Sequence, residues 1–186
     1  MPFIVMQKQQ IKLDYKSNFE YQNVWFDKEK MDSITKNLIS NAIKYTPAHG
    51  EVHIIICHDK DNWSLEITDT GIGIPAKEQK KLFKLHFRGS NAINAKITGS
   101  GIGLMLVWKL VRIHKGKISI ESVENKGTRV KVIFPQNNSE TNRSRQKRYN
   151  KKTWHQYLLV QSLPILIKIC IGSMFKIHSV SWLWKT

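Results

Sequence analysis

Cysteine is nearly absent: Cys57 and Cys170 lie far apart, and neither belongs to a CxxC pair or stands at a Cys/His ligand spacing. A disulfide framework and a zinc site are therefore not indicated, and a reducing compartment fits best. Long uninterrupted apolar runs are also missing. The opening Met-Pro-Phe-Ile-Val-Met-Gln-Lys is too short and lacks the basic start of a signal peptide, so the chain reads as cytoplasmic. Residues 154–186 are apolar, but Pro164, Lys168 and Lys176 leave no run of about 18 uncharged residues for a membrane span. Membrane contact through this tail is left open and unsupported, and the tail is assigned no function. Acidic residues are scarce, 14 against 30 Lys and Arg, for a formal net charge of +16. Such an excess raises nucleic acid as a partner, because basic surfaces release counterions from phosphate backbones. Its distribution argues otherwise, since residues 137–186 hold nine bases against one acid, Glu140, which is half of the excess. The remaining bases are scattered without an aromatic-basic stripe, so no specific nucleic acid is expected.

What is present suits one globular core. The length of 186 residues, 41% hydrophobic and 24% charged, is ordinary for a single domain with an appended tail. Ile11, Leu13 and Tyr15, then residues 21–26, read as two short strands. Asp27 is a candidate N-cap for a long helix, in which Met31, Ile34, Leu38, Ala42 and Tyr45 recur at helical spacing until Pro47 and Gly50. Residues 51–57 and 63–69 predict an antiparallel hairpin around the polar cluster Asp59 to Asn62. A charged helical stretch is expected from Ala76 to about Phe87, then a weakly patterned segment from Gly89 to Thr98. Gly99 to Gly103 opens a second long helix through His114, with Leu106, Leu110 and Ile113 as its apolar face and Gly116 as its C′ glycine. Ile118 and Ile120, then Val130, Val132 and Phe134, predict a final hairpin across Lys126-Gly127. The expected fold class is α+β, a mixed sheet with helices on one face.

Three features carry chemistry. Asn37, Asn41 and Lys44 stand at i, i+4 and i+7, one polar stripe beside the helix's apolar face. An Asn carbonyl is a hard neutral ligand for Mg²⁺ that leaves room for phosphate oxygens, and Lys44 supplies positive charge; the alternative is a solvated helix face. Period-two alternation aims Asp69 to the core side with Trp63, Leu65 and Ile67. A buried carboxylate needs specific donors, such as an adenine amino group, or else caps the turn that follows. Gly71 and Gly73 in that turn allow close approach of a flat ligand. Gly99-Ser100-Gly101-Ile102-Gly103-Leu104 then leads into a helix N-terminus, a natural partner for phosphate, without the Lys-Ser/Thr of a Walker loop or a Rossmann fingerprint.

Taken in order, Asn37 to Thr46, Asp69 to Pro75, Phe83 with Phe87-Arg88, Gly99 to Leu104, and Gly127-Thr128 resemble the signature boxes of histidine-kinase catalytic domains. The resemblance covers about residues 10–135. It implies the two-layer α/β sandwich of Bergerat type, mostly antiparallel, that also occurs in certain chaperones and topoisomerases, binding Mg-ATP under a lid. By motif position it implies Asn41 as the Mg²⁺ ligand, Asn37 as a phosphate- or metal-side contact, and Lys44 and Tyr45 as nucleotide contacts. Asp69 would receive the adenine amino group, with Gly71, Gly73 and Ile74 around the base and Thr128 near it. Gly99, Ser100, Gly101, Ile102, Gly103 and Leu104 would serve the phosphates and the lid, and Arg88 would face the phosphates. Asn37, Lys44 and Arg88 are the residues it implies for catalysis. Phe83 and Phe87 fit lid packing as well as a direct role, and His86 reads as incidental.

The implied reaction is γ-phosphoryl transfer to a histidine. ATP-hydrolysing relatives resemble one another in carrying Glu where this chain has Asn37, and an amide cannot act as general base for water. None of the histidines stands in the His-Glu/Asp-x-x-x-Pro context of the family's phosphoacceptor helix. The acceptor is thus expected on a separate or missing dimerisation domain, with a response-regulator receiver downstream. Residues 1–10 are expected to end a connection from that domain, 11–135 to form the catalytic domain, 136–153 a basic linker and 154–186 a tail, as in a truncated hybrid sensor. The alternatives are a non-catalytic nucleotide-binding docking module and a basic nucleic-acid-binding protein.

Overall fold

The computed structural model describes residues 10–18, 23–136, 154–158 and 180–182. The expected connecting segment before Gln10, the basic linker at 137–153 and the rest of the tail lie outside the described residues.

The first strand, β1 (Lys12–Ser17), alternates exposed and buried positions. The second, β2 (Asn23–Asp27), ends on the residue that starts the first helix, α1 (Lys28–Tyr45). Asp27 does cap it: its Oδ1 accepts from the Lys30 N–H at 3.1 Å, satisfying a donor that the first turn leaves without a partner. Its other oxygen pairs with the Lys30 ammonium. The helix stops where expected, with Pro47 unable to continue it and the Thr46 hydroxyl donating to the Ala42 carbonyl at 2.6 Å. A hairpin of β3 (Glu51–His58) and β4 (Asn62–Asp69) follows, antiparallel with Ile54 opposite Ile67. Its turn is an Asp-centred one, in which Asp59 Oδ1 accepts from the N–H groups of Asp61 and Asn62 at 2.9 and 2.7 Å.

Between β4 and the next long helix lie only two short helices, α2 (Ala76–Gln79) and α3 (Ser90–Asn94). The helix expected to reach Phe87 is therefore corrected to a single turn. From Glu78 onward the backbone closes i to i+3 bonds, Lys81 to Glu78, Lys84 to Lys81 and Phe87 to Lys84, instead of a helical ladder. Lys77, Lys80, Lys81 and Lys84 would repel one another along an α-helix, and His86, at φ 57°, leaves right-handed space altogether. In place of the weakly patterned segment, α3 forms because Glu78 accepts from its Ser90 N–H at 2.9 Å.

The second long helix is α4 (Gly103–Ile113). Two details of its expected form change. Ile113 is 57% exposed, and the buried face is Val107, Leu110 and Val111. The C′ residue is Lys115, at φ 57°, with Gly116 one place beyond. Lys115 N–H bonds to Arg112 and Gly116 N–H to Val111, both at 2.9 Å, so the exit is a Schellman motif whose left-handed residue is the lysine. Glycine at 116 answers a different need, since a methyl there would lie 2.6 Å from the Ile133 carbonyl oxygen.

The final hairpin of β5 (Lys117–Val123) and β6 (Gly127–Pro135) pairs antiparallel as expected. Two strands come from the tail, β7 (Trp154–Leu158) antiparallel to β2 and β8 (Val180–Trp182) parallel to β1. The main sheet runs β5-β6-β4-β3-β1-β8, antiparallel except on both sides of β1. One face carries Tyr15, Val52, Ile54, Ile56, Leu65, Ile67 and Val132. It packs against Met31, Ile34, Leu38, Ile39 and Ile43 of α1 and Val107 and Val111 of α4 in one continuous core. This is the two-layer α+β sandwich, held by side chains whose burial contributes roughly 1.5–3 kcal/mol each. No described helix is long and apolar enough to cross a membrane.

Candidate functional site

A cavity of about 270 Å³ lies where the C-terminal half of α1, the end of β4 and the N-terminus of α4 converge, roofed by the segment between α2 and α4. The polar stripe of α1 faces it: Asn37, Asn41, Lys44 and Tyr45 all line the cavity. Asn37 Nδ2 donates to the Ser33 carbonyl at 2.7 Å. Its Oδ1 turns toward α4, where a methyl on Gly103 would meet it at 2.7 Å. The Lys44 ammonium stands 4.8 Å above the Tyr45 ring and 3.4 Å from its hydroxyl, close against the backbone of Gly99.

At the strand end, Asp69 is 8% exposed, and its Oδ1 accepts from the Gly71 N–H at 2.9 Å and the Thr128 N–H at 3.2 Å. It thus caps its own turn, as one reading allowed, while also lining the cavity. Burial pushes its carboxyl up to about 6, outweighing the two backbone donors that favour the anion. Ile67, Ile72, Ile74, Ala92, Ile120 and Val130 supply the apolar wall beside it. Gly73 makes the turn feasible at φ 62°, where a side chain would strike the Val123 carbonyl oxygen at 2.0 Å.

Of the residues expected at the site, Gly73, Ile74, Arg88, Gly99, Ser100, Gly101, Gly103, Leu104 and Thr128 also line the cavity. Gly71 and Ile102 do not. Gly71 packs against the Tyr45 carbonyl, and Ile102 serves as the N-cap residue of α4. Arg88 donates through Nη2 to the Ile97 carbonyl, and its Nε is buried with no hydrogen-bond partner. Phe87 lines the cavity, whereas Phe83 stacks on Trp108 at 6.2 Å on α4. His86 does not line the cavity; its Nδ1 lies 3.2 Å from the Ser100 carbonyl. Sequence reasoning missed Leu82, Asn91, Ala92 and Ile120. Asn91 and Ala92 sit in the segment that has no periodicity, and only Gly89 before an Asn-rich stretch hinted at a capped helix there.

The N-terminus of α4 opens on this cavity without a side-chain cap and without an acid in its first turn. Its free N–H groups and two cations, Lys44 and Arg88, suit an anion, and the apolar wall ending in a carboxylate suits a flat base bearing an amino group. Residues 26–138 match the family of histidine kinase-, DNA gyrase B- and HSP90-like ATPases. The chain belongs to that family. It is 40% identical over 111 residues to the circadian input-output histidine kinase CikA of Thermosynechococcus vestitus, covering 60% of this chain and 15% of that protein. The sensor histidine kinase WalK of Bacillus subtilis is 35% identical over 114 residues, covering 60% of this chain and 19% of WalK. The chain therefore spans less than a fifth of either relative. Among solved structures, a mycobacterial sensor histidine kinase, MprB, superposes with a TM-score of 0.59 at 27% identity, covering 71% of this chain and 87% of that one. The shared segment is the ATP-binding catalytic domain of histidine kinases, with the fold class that its sequence motifs implied.

Proposed function

We propose that this chain binds Mg-ATP in the cavity beneath residues 80–102 and passes the γ-phosphoryl group to a histidine on a separate phosphoacceptor domain. The observation that carries the reading is the division of one cavity into an apolar wall ending in buried Asp69 and a polar wall of Asn37, Asn41, Lys44, Arg88 and the α4 N-terminus. Asp69 accepts the adenine amino group through the oxygen that Gly71 and Thr128 leave free, with Gly73, Ile74 and Thr128 around the ring. Tyr45 and Lys44 contact the nucleotide, and Gly99, Ser100, Gly101, Gly103 and Leu104 bring α4 to its phosphates.

The donor set fits magnesium held mainly by phosphate. Among the described residues no cluster of three His, Cys, Asp or Glu side chains forms a metal cage, and the cavity offers amide oxygens instead. Magnesium takes one or two protein oxygens when phosphate and water complete its shell, so Asn41 is assigned as its ligand and Asn37 as the neighbouring polar contact. When bound, the ion neutralises charge on the phosphates. Lys44, Arg88 and the α4 N–H groups orient and neutralise the transferred group. The Asn37 amide cannot take a proton from water, so hydrolysis is disfavoured against transfer to an imidazole nitrogen, with ADP leaving.

The domain assignment follows: residues 11–135 form the catalytic domain, flanked by a connection at 1–10, a linker at 136–153 and the tail, in a cytoplasmic location. A dimerisation domain donates the histidine and a response-regulator receiver takes the phosphate onward. The test supplies the full chain with γ-labelled ATP and a separately produced histidine-kinase phosphoacceptor domain. Acid-labile label on that domain is expected, absent when its histidine is replaced by alanine. ATP binding with no label above the acceptor-only background would instead make the chain a docking module.

A further inference from the structure

The roof of the cavity is fastened to the base-side turn at one polar point. Asn91, on α3, points its amide at the turn after β4: Nδ2 donates to the Gly73 carbonyl at 2.8 Å and reaches the Ile72 carbonyl at 3.3 Å. Those two carbonyls belong to a turn that is itself fixed. Ile72 N–H donates to the Tyr45 carbonyl at 3.0 Å, and Asn125 N–H donates to the Ile72 carbonyl at 2.8 Å. Gln79 adds a brace, with Nε2 donating to the Ile74 carbonyl at 3.1 Å and the Ser122 carbonyl at 2.8 Å. Opposite this fixed turn, α3 has only five residues, and Ala92 is its only buried one. So short a helix has little apolar contact to hold it, and its position rests on Glu78 at its first N–H and Asn91 at the turn.

We infer that Asn91 is a positioning residue, a clasp that holds α3 against the base-side turn and so controls how long a nucleotide stays in the cavity. The inference rests on the nucleotide reading of this cavity. Asn91 acts through the Gly73 carbonyl, on the same turn that Asp69 caps. The amide nitrogen is the active atom, because both acceptors are carbonyl oxygens. Replacing it by a carboxylate of the same shape sets an acceptor oxygen against those carbonyls where the donor stood, and replacing it by a methyl removes their side-chain donor.

The clasp therefore governs escape more than capture. In the full chain, Asn91→Asp and Asn91→Ala should each raise the release rate of a fluorescent ATP analogue about 3- to 10-fold, the worth of one or two hydrogen bonds, while its association rate stays within about 2-fold. Without nucleotide, trypsin should cut both variants faster after Lys96, beyond α3, while thermal unfolding of the body is unchanged. Stopped-flow release and timed digestion measure the two effects. Wild-type release and wild-type digestion in both variants, with analogue bound, would overturn the clasp alone. Absence of saturable analogue binding by folded wild-type chain would overturn the nucleotide reading and the clasp with it; faster digestion in that case would mark Asn91 as a structural fastening only.

Discussion

The sandwich body and the roof segment from Ala76 to the start of α4 are held by different forces. In the body, Val52, Ile54, Ile56, Ile34 and Val107 are completely buried, and position follows from alternation on strands and helical spacing on α1 and α4. In the roof, Ala92 alone is a buried hydrophobic residue, while Leu85 and Ile93 are more than half exposed. There the backbone is placed by side chain to backbone bonds, Glu78 to Ser90, Asn91 to Gly73, Gln79 to Ser122 and Arg88 to Ile97. Burial is cooperative and resists local opening; a set of single hydrogen bonds, each worth about 1 kcal/mol, yields one at a time. A cavity with one wall of each kind has a rigid floor and a replaceable roof.

The largest expected effect falls on the floor. Ile54→Ala removes a fully buried side chain in the middle of β3 and should cost about 2–5 kcal/mol in urea unfolding followed by circular dichroism. A loss below about 1 kcal/mol would mean that the sheet face is not the common core.

Asp69 joins the two regions, and its burial gives stability and binding opposite pH dependence. Its carboxyl sits near 6 in the fold against an ordinary 3.8. The folded state thus holds the proton that the unfolded state has already released between those values. Stability falls as pH rises through that window, by on the order of 2–3 kcal/mol, and is level above it. On the proposed adenine contact the anion is the stronger acceptor, so ATP affinity should rise over pH 5 to 7. His114 contributes in the opposite sense to stability, because burial lowers its imidazole and stability is lost as pH falls from 6.5 through that depressed value. Subtracting the urea midpoints of Asp69→Asn from those of wild type between pH 4.5 and 7.5 isolates the Asp69 component. A difference that does not fall as pH rises from 4.5 to about 6 would contradict the burial argument.

The smallest effect belongs to the roof surface. Leu85→Ser, at a side chain 59% exposed, should change urea stability by less than about 0.5 kcal/mol. A larger loss would show that apolar packing holds this segment after all.

The same division explains what could be read from the sequence. Period-two and helical spacings are written along the chain, so the hairpins, α1, α4 and the inward aim of Asp69 were all legible. Asp27, Pro47 and the Asp59 turn marked their boundaries chemically. The misreadings cluster where burial gives no pattern. Residues 76–87 looked helical from composition, yet their lysine repulsion and the left-handed His86 broke the ladder. Asn91 could not be found because its partners are carbonyls, which exist at every residue and leave no signature. Ile113 was misassigned for a related reason: apolar character alone did not distinguish the buried face through Val107 and Val111 from the residue one step around the helix. The pairing of β7 with β2 and of β8 with β1 had no readable signal in a tail interrupted by Pro164 and lysines.

Mg-ATP calorimetry on the full chain, alongside Asp69→Asn and Asn41→Ala variants shown to be folded, tests the central assignment most directly. Saturable wild-type binding, abolished in Asp69→Asn and weakened or made independent of magnesium in Asn41→Ala, is the expected result. Unchanged affinity in folded Asp69→Asn, or no binding by folded wild-type chain, would contradict the assignment of this cavity as the nucleotide site.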